Sequence, residues 1–278
     1  MYNSDVNTRY ELMKGSELMK KYIIGLVCFV MTMSMAACGD TDSSSEDKVS
    51  SKPSSASAAD TAAPVEDSPY DMLADFENGA SEKFIPSDGW TNGSPFDCTW
   101  KSDNVTFENS AMQLRIDETY EYTGGEYRSN DFYGYGLYEV SMKPIKNIGV
   151  VSSFFTYTGP SDGNPWDEID IEFLGKDTTK VQFNYYTDGT GGHEYLYDLG
   201  FDAAEEFHEY GFEWKTDSIT WYVDGEAVYT ATENLPSTPG KLMMNAWNGK
   251  GVDGWLGKFD GTVPLTAEYK WARFTAEK

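Results

Sequence analysis

The segment Trp166-Asp167-Glu168-Ile169-Asp170-Ile171-Glu172-Phe173-Leu174-Gly175 sets three carboxylates at every second position, with apolar residues between them. In an extended chain alternate side chains share a face. Glu168, Asp170 and Glu172 therefore point one way, and Ile169, Ile171 and Phe173 point into a core. Three like charges in a row are costly on a strand with only a structural role, and the apolar alternation is too regular for a casual acidic surface strand. Hydrolysis of a glycosidic bond requires two carboxyl groups in different protonation states, one to donate a proton and one to attack or to activate water. Crowding of like charges raises the pKa of one member while another stays ionised. Four residues of flat strand put the Cα atoms of Glu168 and Glu172 ~13 Å apart. Side-chain lean and sheet curvature can close this to the ~5–5.5 Å of a retaining pair or leave the wider inverting gap. The spacing leaves the stereochemistry open.

The elements around this segment also read as strands. Leu137-Tyr138-Glu139-Val140-Ser141-Met142-Lys143 alternates and then meets Pro144, and Val181-Gln182-Phe183-Asn184-Tyr185-Tyr186 is closed by Thr187-Asp188-Gly189. Ile219–Val223 and Ala227–Thr230 flank Asp224-Gly225-Glu226, and an Asp-Gly between two such runs is a strong hairpin signal. No helical period exceeds two turns, and no solenoid-type repeat is present. Closely spaced strands with turn signals predict an antiparallel β-sandwich over residues 70–278.

Composition limits the partners. The chain has 278 residues, a formal net charge of −25, 15% aromatic residues, eight Trp and nineteen Tyr. The negative charge argues against nucleic acid, whose phosphates need clustered Lys and Arg, and against an anionic polysaccharide, which the whole cleft would repel. A neutral sugar polymer or a cation is compatible, and the aromatic surplus suits a sugar-binding surface as well as a core. Only Cys98 lies in the body of the protein, so no internal disulfide is expected there. Two histidines, His193 and His208, fall short of a zinc site, and no nucleophile-elbow motif supports a serine triad.

The N-terminal part reads as an address. Lys20 and Lys21 precede an apolar run from Tyr22 to Ala37 that ends in Met35-Ala36-Ala37-Cys38-Gly39. This is the pattern of a secretory signal peptide over residues 1–38. The Cys after two small residues suits the lipoprotein version, with Cys38 lipidated and the membrane met only through that anchor; plain secretion is the alternative. Residues 1–18 are polar and acidic, so Met19 is a candidate start. Residues 39–69 are Ser, Ala, Thr, Asp and Pro with almost no large apolar side chain, a composition that stays disordered and would serve as a spacer. A monomer is the default expectation.

Glu168-x-Asp170-x-Glu172, with Trp166-Asp167 before it and Phe173-Leu174-Gly175 after it, resembles the active-site strand of glycoside hydrolase family 16, and within it the bacterial lichenases, which are endo-β-1,3-1,4-glucanases. The resemblance continues through Glu126-Tyr127-Arg128-Ser129, Tyr133–Val140, Ser153-Phe154-Phe155-Thr156-Tyr157, Val181–Tyr186 and Met243-Met244-Asn245-Ala246-Trp247-Asn248-Gly249, and covers residues 75–275. It implies a β-jelly-roll sandwich with a concave, cleft-bearing sheet and a retaining double displacement. Glu168 would be the nucleophile, Glu172 the general acid and then the base, and Asp170 the residue that tunes them. The substrate-binding positions would be Asn92, Glu126, Arg128, Phe155, Tyr157, Trp166, Asn184, Tyr186, Glu194, Asn245 and Trp247. Laminarinase and agarase-like branches carry an extra residue between the Asp and the second Glu. The unbroken alternation here matches lichenases and plant xyloglucan enzymes, and Thr156–Pro160 with Asn184–Tyr186 favours lichenase.

Two positions depart from the pattern. Many lichenases pair a Cys at position 98 with one just before Glu126; Gly124-Gly125 stands there, so Cys98 should be a free, buried thiol. A structural calcium is common in the family, and Lys270 stands where an Asp ligand is expected. A cation is a poor substitute for a carboxylate ligand, so no cofactor is expected. The rival functions are action on pure β-1,3-glucan or xyloglucan, and a surface glycan-binding lipoprotein without catalysis. Decayed relatives of that last kind lose a carboxylate, and all three are present.

Overall fold

The computed structural model describes residues 68–278 apart from Asp97. The signal-peptide segment, Cys38 and nearly all of the 39–69 spacer lie outside the described residues. Sixteen strands follow one another among the described residues: β1 (Met72–Asp75), β2 (Phe84–Pro86), β3 (Thr99–Trp100), β4 (Val105–Glu108), β5 (Ala111–Glu118), β6 (Tyr122–Tyr133), β7 (Gly136–Lys143) and β8 (Val150–Thr158) in the first half. The second half holds β9 (Asp167–Leu174), β10 (Lys180–Tyr186), β11 (Tyr195–Asp198), β12 (His208–Trp214), β13 (Ile219–Val223), β14 (Glu226–Ala231), β15 (Gly240–Asn248) and β16 (Leu265–Ala276). A four-residue α-helix, α1 (Asp253–Leu256), precedes the last strand.

The strands form an antiparallel jelly-roll sandwich, as the alternation predicts. One sheet runs β2-β6-β15-β8-β9-β10-β11. The other runs β4-β5-β16-β7-β12-β13-β14, with β1 beside β16. The β5–β6 hairpin joins them. Between β13 and β14, Val223 faces Glu226 across Asp224 and Gly225, both at positive φ (48° and 79°), the mirror-image turn that matches strand twist.

The core lies between the sheets and explains why β9 sits where it does. Ile169, Ile171 and Phe173 are buried there, as predicted. Phe173 meets Tyr210 edge-on at 4.9 Å, and Phe183 on β10 stacks with Trp221 at 5.5 Å. Trp221 Nε1 donates to the Asp170 carbonyl at 3.1 Å, and Tyr269 OH donates to the Ser153 carbonyl at 3.0 Å. The back sheet thus hydrogen-bonds the backbone of the carboxylate strand β9 and of its neighbour β8, so their register is fixed from behind.

A second apolar cluster of Cys98, Trp100, Val151, Leu174, Trp247 and Leu256, covered by Phe96 and Trp255, closes one end of the front sheet. Cys98 is a buried free thiol whose pKa burial pushes up to about 12. Gly124 is required beside it: a Cβ there would lie 2.5 Å from the Ala246 carbonyl oxygen, 2.8 Å from the Trp100 ring and 3.0 Å from Cys98 Sγ. On the back sheet the two ends of the domain meet. Met72 pairs with Phe274, Asp71 accepts from the Ala276 N–H at 2.8 Å, and Tyr70 lies against the Arg273 guanidinium at 4.7 Å.

Candidate active site

Register turns the front sheet into rows of side chains that cross the strands. Glu168 stands between Tyr186 and Tyr157, with Lys241 beyond. Asp170 stands between Asn184 and Phe155, followed by Met243 and Arg128. Glu172 stands between Gln182 and Ser153, followed by Asn245 and Glu126. Neither ladder flanking β9 contains a register shift over these residues, so the three carboxylates lie in line on the floor of the sheet, with Asp170 in the middle.

Each of the two outer carboxylates has a hydrogen-bond donor of its own. Trp166 Nε1 donates to Glu168 Oε2 at 2.6 Å, and Gln182 Nε2 donates to Glu172 Oε2 at 2.7 Å. Burial is the main force raising all three acids: Glu168 to about 7, Glu172 to about 8, and Asp170 well above the usual carboxylate range. Like charge reinforces it, since Glu168 and Glu172 both act on Asp170, and Glu194 acts on Asp170 and Glu172. The Trp166 N–H pulls Glu168 back toward ionisation. Asp170, pressed from both sides, holds its proton and hydrogen-bonds Glu168. The arrangement is a row of three buried acids, each raised by burial and by its like-charged neighbours, suited to one attacking carboxylate and one proton donor.

A model of the glycosyl hydrolases family 16 matches residues 92–273. The chain belongs to glycosyl hydrolase family 16. It is 58% identical over 213 residues to a xylanase/beta-glucanase of Ruminococcus flavefaciens, covering 73% of this chain and 27% of that protein. It is also 58% identical over 217 residues to a beta-glucanase of Acetivibrio thermocellus, covering 77% of this chain and 64% of the relative. The match thus spans less than two thirds of either relative's length. A crystal structure of a prokaryotic beta-1,3-1,4-glucanase (lichenase) derived from a mouse hindgut metagenome superposes with a TM-score of 0.71 at 53% identity, over 74% of this chain and 99% of that one.

The structure places most of the residues implied by family 16 around the triad. Trp166 stacks on Tyr186 at 4.5 Å and 12°, forming an aromatic wall above Glu168. Tyr157, Phe155 and Asn184 are direct cross-strand neighbours of the carboxylates. Glu126, Arg128 and Asn245 extend the rows on β6 and β15. Glu126 is buried, accepts from Ser87 Oγ at 2.5 Å and has its pKa pushed up to about 7 by burial. Ser153 Oγ donates to Asn245 Oδ1 at 2.5 Å, which turns the Asn245 amide N–H toward Glu126. Asn92 receives the Cys98 N–H on its Oδ1. Glu194 is an exposed loop residue that reaches the triad through its charge. Trp247 is the least accessible of the aromatics, 6% exposed beneath Phe96 and Trp255 at 5.0 and 6.2 Å; it forms the packed base of the cleft end. Buried Asn92 Nδ2, Arg128 Nε and Asn184 Oδ1 have no protein partner, and unpaired buried polar atoms on a cleft wall suit sugar hydroxyls.

Other site residues were not singled out by the sequence. Trp90 lies under the Arg128 guanidinium at 4.7 Å and is 41% exposed at the far end of the rows. Asp167 accepts three backbone N–H groups, from Asp188, Ser237 and Thr238 at 2.8–2.9 Å, and so ties two loops to the start of β9 beside Trp166. Gln182 and Ser87 each hold a carboxylate. The residues around Lys270 do not fit a calcium ion: its ammonium lies 3.9 Å from Glu77 Oε1 and 4.8 Å above the Phe207 ring. A fixed cation there already faces the local carboxylate.

Proposed function

We propose that this domain hydrolyses internal β-1,4 bonds of mixed-linkage β-1,3-1,4-glucans with net retention, with Glu168 as nucleophile and Glu172 as acid and base. The observation that carries the reading is the geometry of β9, which sets Glu168, Asp170 and Glu172 in line on one face of an unbroken strand, with Trp166 donating to one outer acid and Gln182 to the other. Glu168, ionised first, attacks the anomeric carbon as Glu172 gives its proton to the leaving oxygen, so a glycosyl–enzyme ester forms and a shortened chain departs. Glu172, now a carboxylate, takes a proton from water, the hydroxide oxygen displaces Glu168, and both acids return to their starting states. Asp170 keeps the nucleophile oriented by donating to it. The stacked Trp166–Tyr186 wall and the unpaired polar atoms on Asn92, Arg128 and Asn184 supply ring faces and hydrogen bonds for a neutral polymer. The lichenase-type relative and the absence of a bulge in β9 support mixed-linkage glucan over pure β-1,3-glucan.

The same reading takes residues 70–278 as the catalytic domain and residues 1–38 and 39–69 as signal peptide and spacer. It places the enzyme outside the cytoplasm as a monomer, held through Cys38 or released, with neither metal nor cofactor in the chemistry. The test is reducing-sugar release by residues 70–278 from barley β-glucan, laminarin, carboxymethyl-cellulose and xyloglucan, with Glu168→Gln as control. Release from barley β-glucan that the substitution abolishes is the expected outcome. Release chiefly from laminarin or xyloglucan overturns the substrate, and binding without release overturns the chemistry.

A further inference from the structure

Glu172 has two oxygens, and only one can usefully carry the proton that the leaving group takes. Gln182, directly across from it on β10 and buried, places Nε2 2.7 Å from Glu172 Oε2. An amide can flip, so its orientation needs a cause. Trp255 supplies one: its Nε1 donates to Gln182 Oε1 at 3.2 Å. An indole N–H can only donate, so the amide must turn its oxygen toward Trp255 and its NH2 toward Glu172. Trp255 is itself held firmly. Leu256 next to it is fully buried in the second cluster, the Lys176 ammonium binds the Trp255 carbonyl, and Phe96 and Trp247 pack on the ring at 6.3 and 6.2 Å.

We propose that Trp255 and Gln182 are a positioning pair that leaves Oε1 of Glu172 as the oxygen that carries the catalytic proton. With an N–H already directed at Oε2, a proton on that oxygen would meet a second hydrogen, so the carboxyl protonates on Oε1. A flipped amide would reverse this: the carbonyl oxygen would face Oε2, draw the proton there and turn it away from the leaving group. The pair also offsets the charges that face Glu172, namely Glu168 on its own strand and Glu194 from the loop before β11; the other flanking groups, the protonated Asp170 on β9, Ser153 on β8 and Asn184 and Tyr186 on β10, are neutral. The inference rests on Glu172 being the acid and base.

The experiment compares Gln182→Met and Trp255→Phe with the parent domain, measuring the pH profile of kcat/KM on mixed-linkage glucan. A second substrate, a glucan oligosaccharide with a 2,4-dinitrophenyl leaving group, departs without needing a proton. The alkaline limb should move up by roughly one pH unit in Gln182→Met, the worth of one hydrogen bond to a charged group, and by less in Trp255→Phe, with the acidic limb unmoved. The rate on glucan should fall at least roughly tenfold, a fraction of what general acid catalysis contributes, while the dinitrophenyl substrate keeps its rate for glycosyl transfer to Glu168. Equal losses on both substrates would mean general damage to the site and overturn the proposal. An unmoved alkaline limb in Trp255→Phe overturns it as well, whatever Gln182→Met does, because the indole is what orders the amide. Glu172→Gln run alongside separates the two readings: full activity on glucan in that variant removes the role of Glu172, whereas an inactive Glu172→Gln with unmoved limbs removes only the positioning pair.

Discussion

Replacing Glu168 should make the protein more stable. Burial holds the Glu168 carboxyl at about 7 against an ordinary 4.5, so ionising it in the folded state costs about 3 kcal/mol at ~1.4 kcal/mol per unit. The folded protein binds this proton more tightly than the unfolded chain. Its contribution is therefore fully present below the unfolded value of 4.5 and is lost as pH rises through about 7. Glu168→Gln removes the ionisation while keeping an oxygen for the Trp166 N–H, and it also relieves Asp170 of one like charge. At about pH 9 the variant should melt roughly 6–12 °C above the parent, taking ~2–4 °C per kcal/mol for a domain of this size. At about pH 4, where the acid is protonated in both states, the gap should close. Scanning calorimetry across that range, on an inactive variant and its parent, reads the difference directly. A gap that stays constant with pH, or a variant that melts lower at alkaline pH, would refute the account of a strained, buried acid.

Three further outcomes follow from named contacts. Trp166→Phe keeps the stack on Tyr186 but loses the N–H on Glu168, so the acidic limb of kcat/KM should move up by roughly one pH unit while the alkaline limb stays. Asp167→Asn turns an acceptor of three backbone N–H groups into one that opposes them with its own NH2; urea unfolding should show a loss of roughly 2–3 kcal/mol. Gly124→Ala drives a methyl to 2.5 Å from the Ala246 carbonyl oxygen and 2.8 Å from Trp100, and should cost roughly 1–3 kcal/mol in the same assay. It should also let Ellman's reagent reach Cys98 without denaturant, where the parent thiol is shielded.

The row of carboxylates was legible because β9 writes it in a two-residue period: the same alternation that sends Ile169, Ile171 and Phe173 into the core turns the acids to the opposite face. The Asp224-Gly225 turn was legible for a similar reason, since only two residues separate its strands. What could not be read were partners brought together over long separations. Gln182 meets Trp255 across 73 residues, Ser87 meets Glu126 across 39, and Asp167 meets Ser237 across 70. None of these pairs has a local period, and each depends on which strand lies beside which. Trp247 shows the converse. The family resemblance gives it a sugar-facing place, and the structure adds its packing: Phe96, from a segment 151 residues earlier, and Trp255, eight residues later, lie against its ring.

The pairing of β1 with β16 has a practical use. Because Met72 lies across from Phe274 and Asp71 holds the Ala276 N–H, the two ends of the domain are neighbours on the face away from the acids. A short linker could join them and new ends could be opened in an exposed turn, such as the one at Asp224-Gly225, with β9 and its flanking ladders left intact. For the same reason, coupling this domain to a bead or a fibre through either end leaves the cleft facing the medium, so an immobilised reactor built on it should still admit long polymer chains.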